Sequence, residues 1–233
     1  MINQIVYTNS NCSDLWEMFI KQNEKHCKMP LYFISDKLPE NYHNNFLKYT
    51  NDEPYYKVWV EAAQMFGKDF FIYLQEDFVL YADVNQNKID EYVEFLKNNS
   101  KYSFVRLLKS GNLNNKKISS TLYEIESTNP NIFSMQATIW RTSDNILLMN
   151  TVKSKGWLET DGDYRNRMIG LNMKGAYHYD DENKRGSAHY DSNVYPYIAT
   201  AIGGGKWNMR EYGIQLNKLF AEYKIDVNKR GKL

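Results

Sequence analysis

The run Phe70-Phe71-Ile72-Tyr73-Leu74 is apolar at every position, meets Gln75-Glu76-Asp77, and turns apolar again at Phe78-Val79-Leu80. Its aromatic and β-branched residues favour pleated backbone, and a run without polar alternation suits a strand buried on both faces. Two adjacent carboxylates at the end of such a strand are costly unless something pairs with them. A divalent cation is an economical partner, because Mg²⁺ and Mn²⁺ take carboxylate and water oxygens and bridge protein acids to phosphates. The segment therefore reads as a metal-and-phosphate shelf at the edge of a buried sheet. The same residues also fit a strand running into an acidic turn.

The surrounding pattern extends this reading. Strands are expected at Gln4 to Tyr7, Leu31 to Ile34, Phe70 to Gln75 and Tyr102 to Leu108. Helices are expected from Ser13 or Asp14 to about His26, from Tyr55 to Phe66 and from Asn87 to Asn98. Alternating strands and helices argue for an α/β domain with a mixed, mostly parallel central sheet flanked by helices. Such sheets place ligands at the carboxyl ends of their strands. Thr8-Asn9-Ser10, Ser35-Asp36 and Glu76-Asp77 all stand at such ends. Further strands are expected at 118–125 and 133–140, and helices at 143–152, 161–173 and 209–223. Residues 38–51 and 174–208 read as irregular, and the second stretch is long enough to line a site. No linker or repeat divides the chain, so residues 1–233 are expected to form one domain.

Composition narrows the partners. The net charge is +1, with no basic excess of the kind that marks a nucleic-acid binder. Two cysteines, Cys12 and Cys27, are too few for a disulfide scaffold and are expected as free thiols in a reducing compartment. The first residues lack the basic and apolar regions of a signal peptide, and no apolar run approaches the ~20 residues of a membrane span. These features point to a cytoplasmic protein.

Three further clusters carry chemistry. Trp157-Leu158-Glu159-Thr160-Asp161-Gly162-Asp163 puts three acids within a short loop-to-helix junction. Asp161 and Asp163 suit helix capping and the helix dipole. Glu159 beside an indole suits a general base, whose pKa such surroundings would raise. Ser134, Gln136 and Thr138 alternate with Met135, Ala137 and Ile139, as in a strand with one polar face. Lys184-Arg185-Gly186 through Asp191, and Gly203-Gly204-Gly205-Lys206, offer Gly-rich turns with cations that suit phosphate. The whole segment 184–207 is expected to close over a bound donor. His189 and Asp191 could bind a metal or a sugar, although a lone His is more often a structural hydrogen-bonding residue. Neither a P-loop nor a dinucleotide fingerprint is present.

Taken in order, Ile72-Tyr73-Leu74-Gln75-Glu76-Asp77-Phe78, then Ser134-Met135-Gln136-Ala137-Thr138-Ile139-Trp140-Arg141, then Trp157-Leu158-Glu159, the chain resembles the A-type (GT-A fold) nucleotide-sugar glycosyltransferases. The resemblance is to small members from bacterial polysaccharide loci, phages and large DNA viruses, and it spans about residues 2 to 208. It implies a single Rossmann-like domain, with a nucleotide-binding half over about 1–110 and an acceptor-binding half plus C-terminal helix over about 111–233. It implies a nucleotide-diphosphate sugar as donor and a glycan, lipid-linked or protein-linked sugar as acceptor. Thr8, Asn9 and Asp36 would hold the base and ribose, with Lys206 on the donor phosphates. Asp77, with Glu76 near it and His189 as a further ligand, would hold Mn²⁺ or Mg²⁺. Gln75 stands where the family's D-x-D motif has its first Asp, so Glu76-Asp77 must carry that role. Glu159, with Asp161 as its rival, would deprotonate the acceptor hydroxyl in a single inverting displacement. Two other readings stay open: a sugar-phosphate nucleotidyltransferase on the same shelf, and a carbohydrate-binding or degenerate transferase-like protein without turnover.

Overall fold

The computed structural model describes residues 1–39, 45–113, 116–153 and 161–233. The first part of the chain forms β1 (Asn3–Tyr7), α1 (Ser13–His26), β2 (Leu31–Ser35), β3 (Phe46–Lys48), α2 (Tyr55–Phe66), β4 (Phe70–Gln75), α3 (Gln86–Asn98) and β5 (Phe104–Arg106). There follow β6 (Lys116–Lys117), β7 (Leu122–Ile125), β8 (Thr138–Arg141), α4 (Thr142–Val152), α5 (Asp161–Gly170) and β9 (Gly175–His178). Two hairpins, β10 (Lys184–Arg185) with β11 (His189–Tyr190) and β12 (Ile202–Gly203) with β13 (Lys206–Trp207), precede α6 (Met209–Tyr223).

Strands β1 to β9 join one sheet in the order β3-β2-β1-β4-β8-β5-β9-β7-β6. The run β3-β2-β1-β4 is parallel throughout, and β5 pairs parallel with β9. Strand β8 lies antiparallel to both β4 and β5, and β7 antiparallel to β9 and β6. Only β8 and β7 run against the rest, so the carboxyl ends of β1, β2, β4, β5 and β9 share one edge. This is the mixed, mostly parallel α/β sheet expected from the alternation.

Period-2 geometry assigns the helices to faces. On β2, Phe33 meets α1 through Trp16 and Phe19, with ring centroids 6.2 and 5.9 Å apart. The preceding residue, Tyr32, stacks at 4.3 Å on Phe66 of α2, on the other face. Helix α2 continues along β4, where Trp59 packs on Phe71 and Tyr73. Its indole Nε1 donates to Asn145 Oδ1 at 2.7 Å, joining α2 to α4. Every residue from Phe70 to Leu74 is buried, as a strand covered on both faces requires.

Several expectations change in three dimensions. The stretch 38–51 contributes β3, a short edge strand paired with β2. Within 133–140 only Thr138 onward is strand, and Met135 and Gln136 bend away from the ladder. Helix α5 ends at Gly170 rather than Met173. The region 174–208 supplies β9, an interior strand, as well as the two hairpins. Its pattern gave no strand signal because Gly175-Ala176-Tyr177-His178 is neither alternating nor a conventional apolar run.

Two buried residues show how tightly the second half is assembled. Arg106 faces no carboxylate; its Nη atoms donate to the carbonyls of Ser110, Asn131 and Ile132 at 2.9–3.3 Å. Burial lowers its pKa to about 10. It thereby ties the turn after β5 to the segment leading into β8. Gly175, paired with Phe104, leaves the space that the Phe104 ring fills: a Cβ there would lie 2.1 Å from Phe104 Cζ. Phe104 in turn is held by Trp140 at 4.7 Å. Gly175→Ala should therefore destabilise the protein by about 1–3 kcal/mol, the usual cost of overpacking. Urea denaturation measures this, and adding Phe104→Leu to Gly175→Ala should recover part of the loss.

Candidate functional site

The carboxyl ends of β1 and β4 open onto a cavity of about 690 Å³. Parallel pairing in register puts Tyr7 beside both Ile34 and Gln75, so the polar residues that follow each strand emerge together. Thr8, Asn9, Gln75, Glu76 and Asp77 line the cavity with Tyr7, Cys12, Met135, Gln136, Thr200 and Arg230. Asp36 stands one layer back: it accepts from Ser10 N and Ser10 Oγ, both at 2.7 Å, and fixes the turn that follows β1. Thr8 is buried, with its hydroxyl accepting from Trp16 Nε1 at 2.9 Å and its carbonyl from Tyr49 OH at 3.0 Å. Asn9 caps the short 3-10 turn before α1 by accepting from Asn11 N at 3.0 Å. Helix α1 has no side-chain cap of its own, and Asp14 in its first turn pairs with Arg230 instead.

Glu76 and Asp77 form the floor. Burial raises both pKa values; for Asp77, burial and the neighbouring Glu76 charge push it up to about 8. Backbone N–H groups at Ala201 and Ile202 offset part of this for Asp77, with Ile202 N 3.4 Å from Oδ2. The Cys12 thiol, the Thr8 hydroxyl and the Arg230 charge do the same for Glu76. Among the described residues no group of three His, Cys, Asp or Glu side chains could hold a metal by itself. Two carboxylates short of countercharge nonetheless fit a hard divalent cation whose remaining ligands are water and phosphate oxygens.

The sites expected from sequence are only partly brought together. His189 does not line the cavity. It lies behind Gln136, with Nε2 3.1 Å from the Gln136 amide nitrogen, and burial lowers its pKa. Gln136 also accepts from Tyr197 OH at 2.7 Å and donates to Ala199 O at 3.3 Å, so its orientation is set. Lys206 is exposed beside the β12–β13 turn, and it is Gly204 and Gly205 that reach the cavity. Both have positive φ (+54° and +79°), as a two-residue hairpin loop of this kind needs. Arg185 is engaged by Asp191 at 2.8 and 3.1 Å, away from the cavity. The segment 184–207, expected to close as a unit, is pinned in its middle by buried Val194, Tyr195, Tyr197 and Ile198. Glu159 lies outside the described residues, and Asp161 opens α5.

Arg230 escaped the sequence reading. It lies far from the other site residues along the chain and carries no motif. Its Nε donates to Asp14 Oδ2 at 2.6 Å, its Nη2 to Asp14 Oδ1 and to Asn11 O. Among the described residues lining the cavity it is the one cation.

No family model matches the chain, and no curated protein matches it in sequence. Solved structures do. The chain is similar to TarS 1–349 of S. aureus, with TM-score 0.50, 14% identity, and coverage of 95% of this chain and 65% of that one. The same protein in complex with UDP gives TM-score 0.51 at 13% identity, with the same coverage. A CMP:2-keto-3-deoxy-manno-octonic acid synthetase complexed with CTP gives TM-score 0.50 at 9% identity, covering 96% of this chain and 98% of that one. The chain thus has the Rossmann-like α/β fold that these structures share, and it spans about two thirds of the TarS structure. No helix among the described residues is long and apolar enough to cross a membrane.

The raised carboxyls make a pH prediction. Native Asp77 holds its proton up to about pH 8, whereas in the unfolded chain it would ionise near ~3.9. Between those limits the native state binds more protons, so the Asp77 contribution to stability falls as pH rises. Glu76 and Asp77 titrate as a pair. Asp77→Asn should remove most of this slope: the variant should gain stability relative to the wild type from about pH 4 to about pH 8, then level off. Urea midpoints across that range test it, and parallel curves would contradict the assignment.

Proposed function

We propose that the chain is a glycosyltransferase that moves a sugar from a nucleotide-diphosphate sugar to a hydroxyl of a glycan, lipid-linked or protein-linked acceptor. The observation that carries this reading is the half-buried Glu76–Asp77 pair facing a cavity of about 690 Å³ at the carboxyl ends of β1 and β4. The fold shared with TarS, which has been seen with UDP, supports a nucleotide donor in that cavity.

In this reading Tyr7, Thr8 and Asn9 line the part that takes the base and ribose, with Asp36 holding the turn. Asp77, backed by Glu76, would hold Mn²⁺ or Mg²⁺, which supplies charge neutralisation for the departing nucleotide diphosphate. Arg230 adds a protein cation on the same side, and the glycine turn at 204–205 lets backbone approach the phosphates closely. Gln136, locked by Tyr197, Ala199 and His189, forms a fixed part of the cavity wall. The acceptor oxygen forms a bond to the anomeric carbon as the bond to the diphosphate breaks. The acceptor proton passes to a carboxylate, Glu159 or its rival Asp161, and the configuration inverts.

A nucleotidyltransferase is the second reading, because the CTP-bound synthetase is matched over nearly its whole length. Such enzymes would normally carry a basic, Gly-rich loop after the first strand. Here the turn Thr8 to Cys12 has no Lys or Arg of its own, which favours the first reading. Incubation with nucleotide sugars and Mn²⁺, against nucleoside triphosphate plus sugar 1-phosphate, separates the two: release of nucleoside diphosphate supports glycosyl transfer, and release of pyrophosphate supports the alternative.

Asp77→Asn should lower turnover by ~10²-fold or more, since metal-assisted charge stabilisation is worth several kcal/mol. It should also abolish the Mn²⁺-dependent thermal shift given by nucleoside diphosphate. Unchanged activity would remove the shelf from the mechanism.

The two acids at the 157–163 junction are told apart by Glu159→Gln and Asp161→Asn. Glu159→Gln should reduce turnover ~10²-fold or more, the scale of a lost general base, with donor affinity nearly unchanged. Asp161→Asn should cost mainly stability. The opposite pattern would reverse the assignment, and a retained anomeric configuration in the product would exclude single displacement.

A further inference from the structure

His189 stands behind the cavity wall with one ring nitrogen against Gln136, and the neighbours of Gln136 leave its amide a single orientation. Ala137 N donates to Tyr197 OH at 3.1 Å. A backbone N–H only donates, so the tyrosine oxygen accepts there and directs its own hydrogen to Gln136 Oε1 at 2.7 Å. The amide nitrogen of Gln136 therefore faces Ala199 O at 3.3 Å and His189 Nε2 at 3.1 Å. A carbonyl oxygen only accepts, so Ala199 O requires the same orientation. Turning the amide over would set its oxygen against that carbonyl.

The two N–H bonds of the Gln136 amide thus meet two acceptors, one of which is His189 Nε2. An imidazole nitrogen that accepts carries no hydrogen, so the ring proton sits on Nδ1. Glu211 of α6 and Arg106 of β5 are the charges that reach the ring, and they act in opposite directions. Burial favours the neutral ring that Gln136 requires. The backbone around His189 is held as well. Tyr190 N donates to Lys109 O at 3.1 Å, Gly111 N to Ala188 O at 2.8 Å, and His189 pairs with Ser110 in an antiparallel bridge. Arg106 fastens that turn through Ser110 O.

On its other side Gln136 leads to the acids. The Ala199 carbonyl that it holds begins the segment 199–202, whose N–H groups at Ala201 and Ile202 support Asp77. Asn208 secures the same segment, donating from N to Ala201 O at 2.9 Å and from Nδ2 to Thr200 O at 3.2 Å. We propose that His189 is a positioning residue: as the Nδ1–H tautomer it accepts from Gln136, and through Gln136 it fixes the 199–202 backbone that holds Asp77. Its effect on ligand binding rests on the reading of Asp77 as the carboxylate under the metal, whereas the hydrogen-bond arrangement does not. With its Nε2 lone pair engaged by Gln136, His189 acts on the acids from behind the wall and not as a metal ligand.

Nitrogen-15 NMR of the full chain without ligand should show the His189 ring protonated at Nδ1 and bare at Nε2. Gln136→Glu, which replaces the donating amide by an acceptor, should move the ring proton to Nε2. His189→Leu leaves a Gln136 N–H without its partner and should speed hydrogen exchange at the Ala201 and Ile202 amides about tenfold, the scale of one lost hydrogen bond. It should also raise about tenfold the Mn²⁺ concentration that gives half of the thermal shift with UDP. His189→Gln, whose side-chain oxygen accepts where Nε2 did, should bring both to within about twofold of the wild type. Rescue by an acceptor, at matched urea midpoints, separates positioning from general loosening. If His189→Leu fails to fold, the wild-type tautomer and its switch in Gln136→Glu decide. A proton on Nε2 in the wild type, exchange and Mn²⁺ dependence unchanged in His189→Leu, or His189→Gln behaving as His189→Leu would each overturn the role. The expected tautomer and exchange with no UDP shift in the wild type would uphold the positioning role and count against the donor reading instead.

Discussion

Two adjacent carboxylates at the end of a strand buried on both faces set the terms for everything around them. Glu76 and Asp77 are only partly open to solvent, because β4 sits between β1 and β8 with α2 packed along it. Desolvation raises both acids, and adjacency raises Asp77 further. The protein answers only in part, with backbone N–H groups at 201 and 202, a thiol, a hydroxyl and one guanidinium. The shortfall is the physical reason a cationic partner fits there, and the cavity in front of the pair leaves room for one together with an anionic ligand.

The scaffold makes that arrangement affordable. Strands β2, β1 and β4 are parallel and in register, so three polar turns meet without any one of them having to be long. Behind the cavity a layer of oriented groups fixes those that face it: Asp36 holds Ser10, Tyr49 holds the Thr8 carbonyl, and Tyr197 with His189 holds Gln136. Arg106 does similar work for the second half of the sheet through carbonyl groups alone. A buried guanidinium without a carboxylate is sustained because it satisfies carbonyls that would otherwise be unpaired inside the protein.

The elements read correctly from sequence were those whose burial is complete or whose periodicity is long. Phe70 to Leu74 could only be a covered strand, and the apolar spacing of α1, α2, α3 and α6 marks one face of each helix. The polar residues after β1, β2 and β4 were legible for the same reason, since strand ends follow from strand positions. Strand β9 was missed because Gly175 is selected by the Phe104 ring across from it, a requirement that no local pattern carries. Met135 and Gln136 alternate like strand residues but leave the ladder, because Arg106 and Tyr197 capture the backbone and amide around them.

The sequence alone determined the α/β class, the burial of the acidic strand on both faces and the polar turns after β1 and β4 that line the cavity, because hydrophobic periodicity and strand burial are properties of neighbouring residues. Only the tertiary structure decided which distant groups complete the site. Arg230 reaches Asp14 and the cavity from the far end of the chain, and His189 and Tyr197 stand behind Gln136. Each of those contacts joins residues whose separation along the chain exceeds the range of any local periodicity. They exist because sheet order and register, rather than sequence proximity, bring the segments to the same edge.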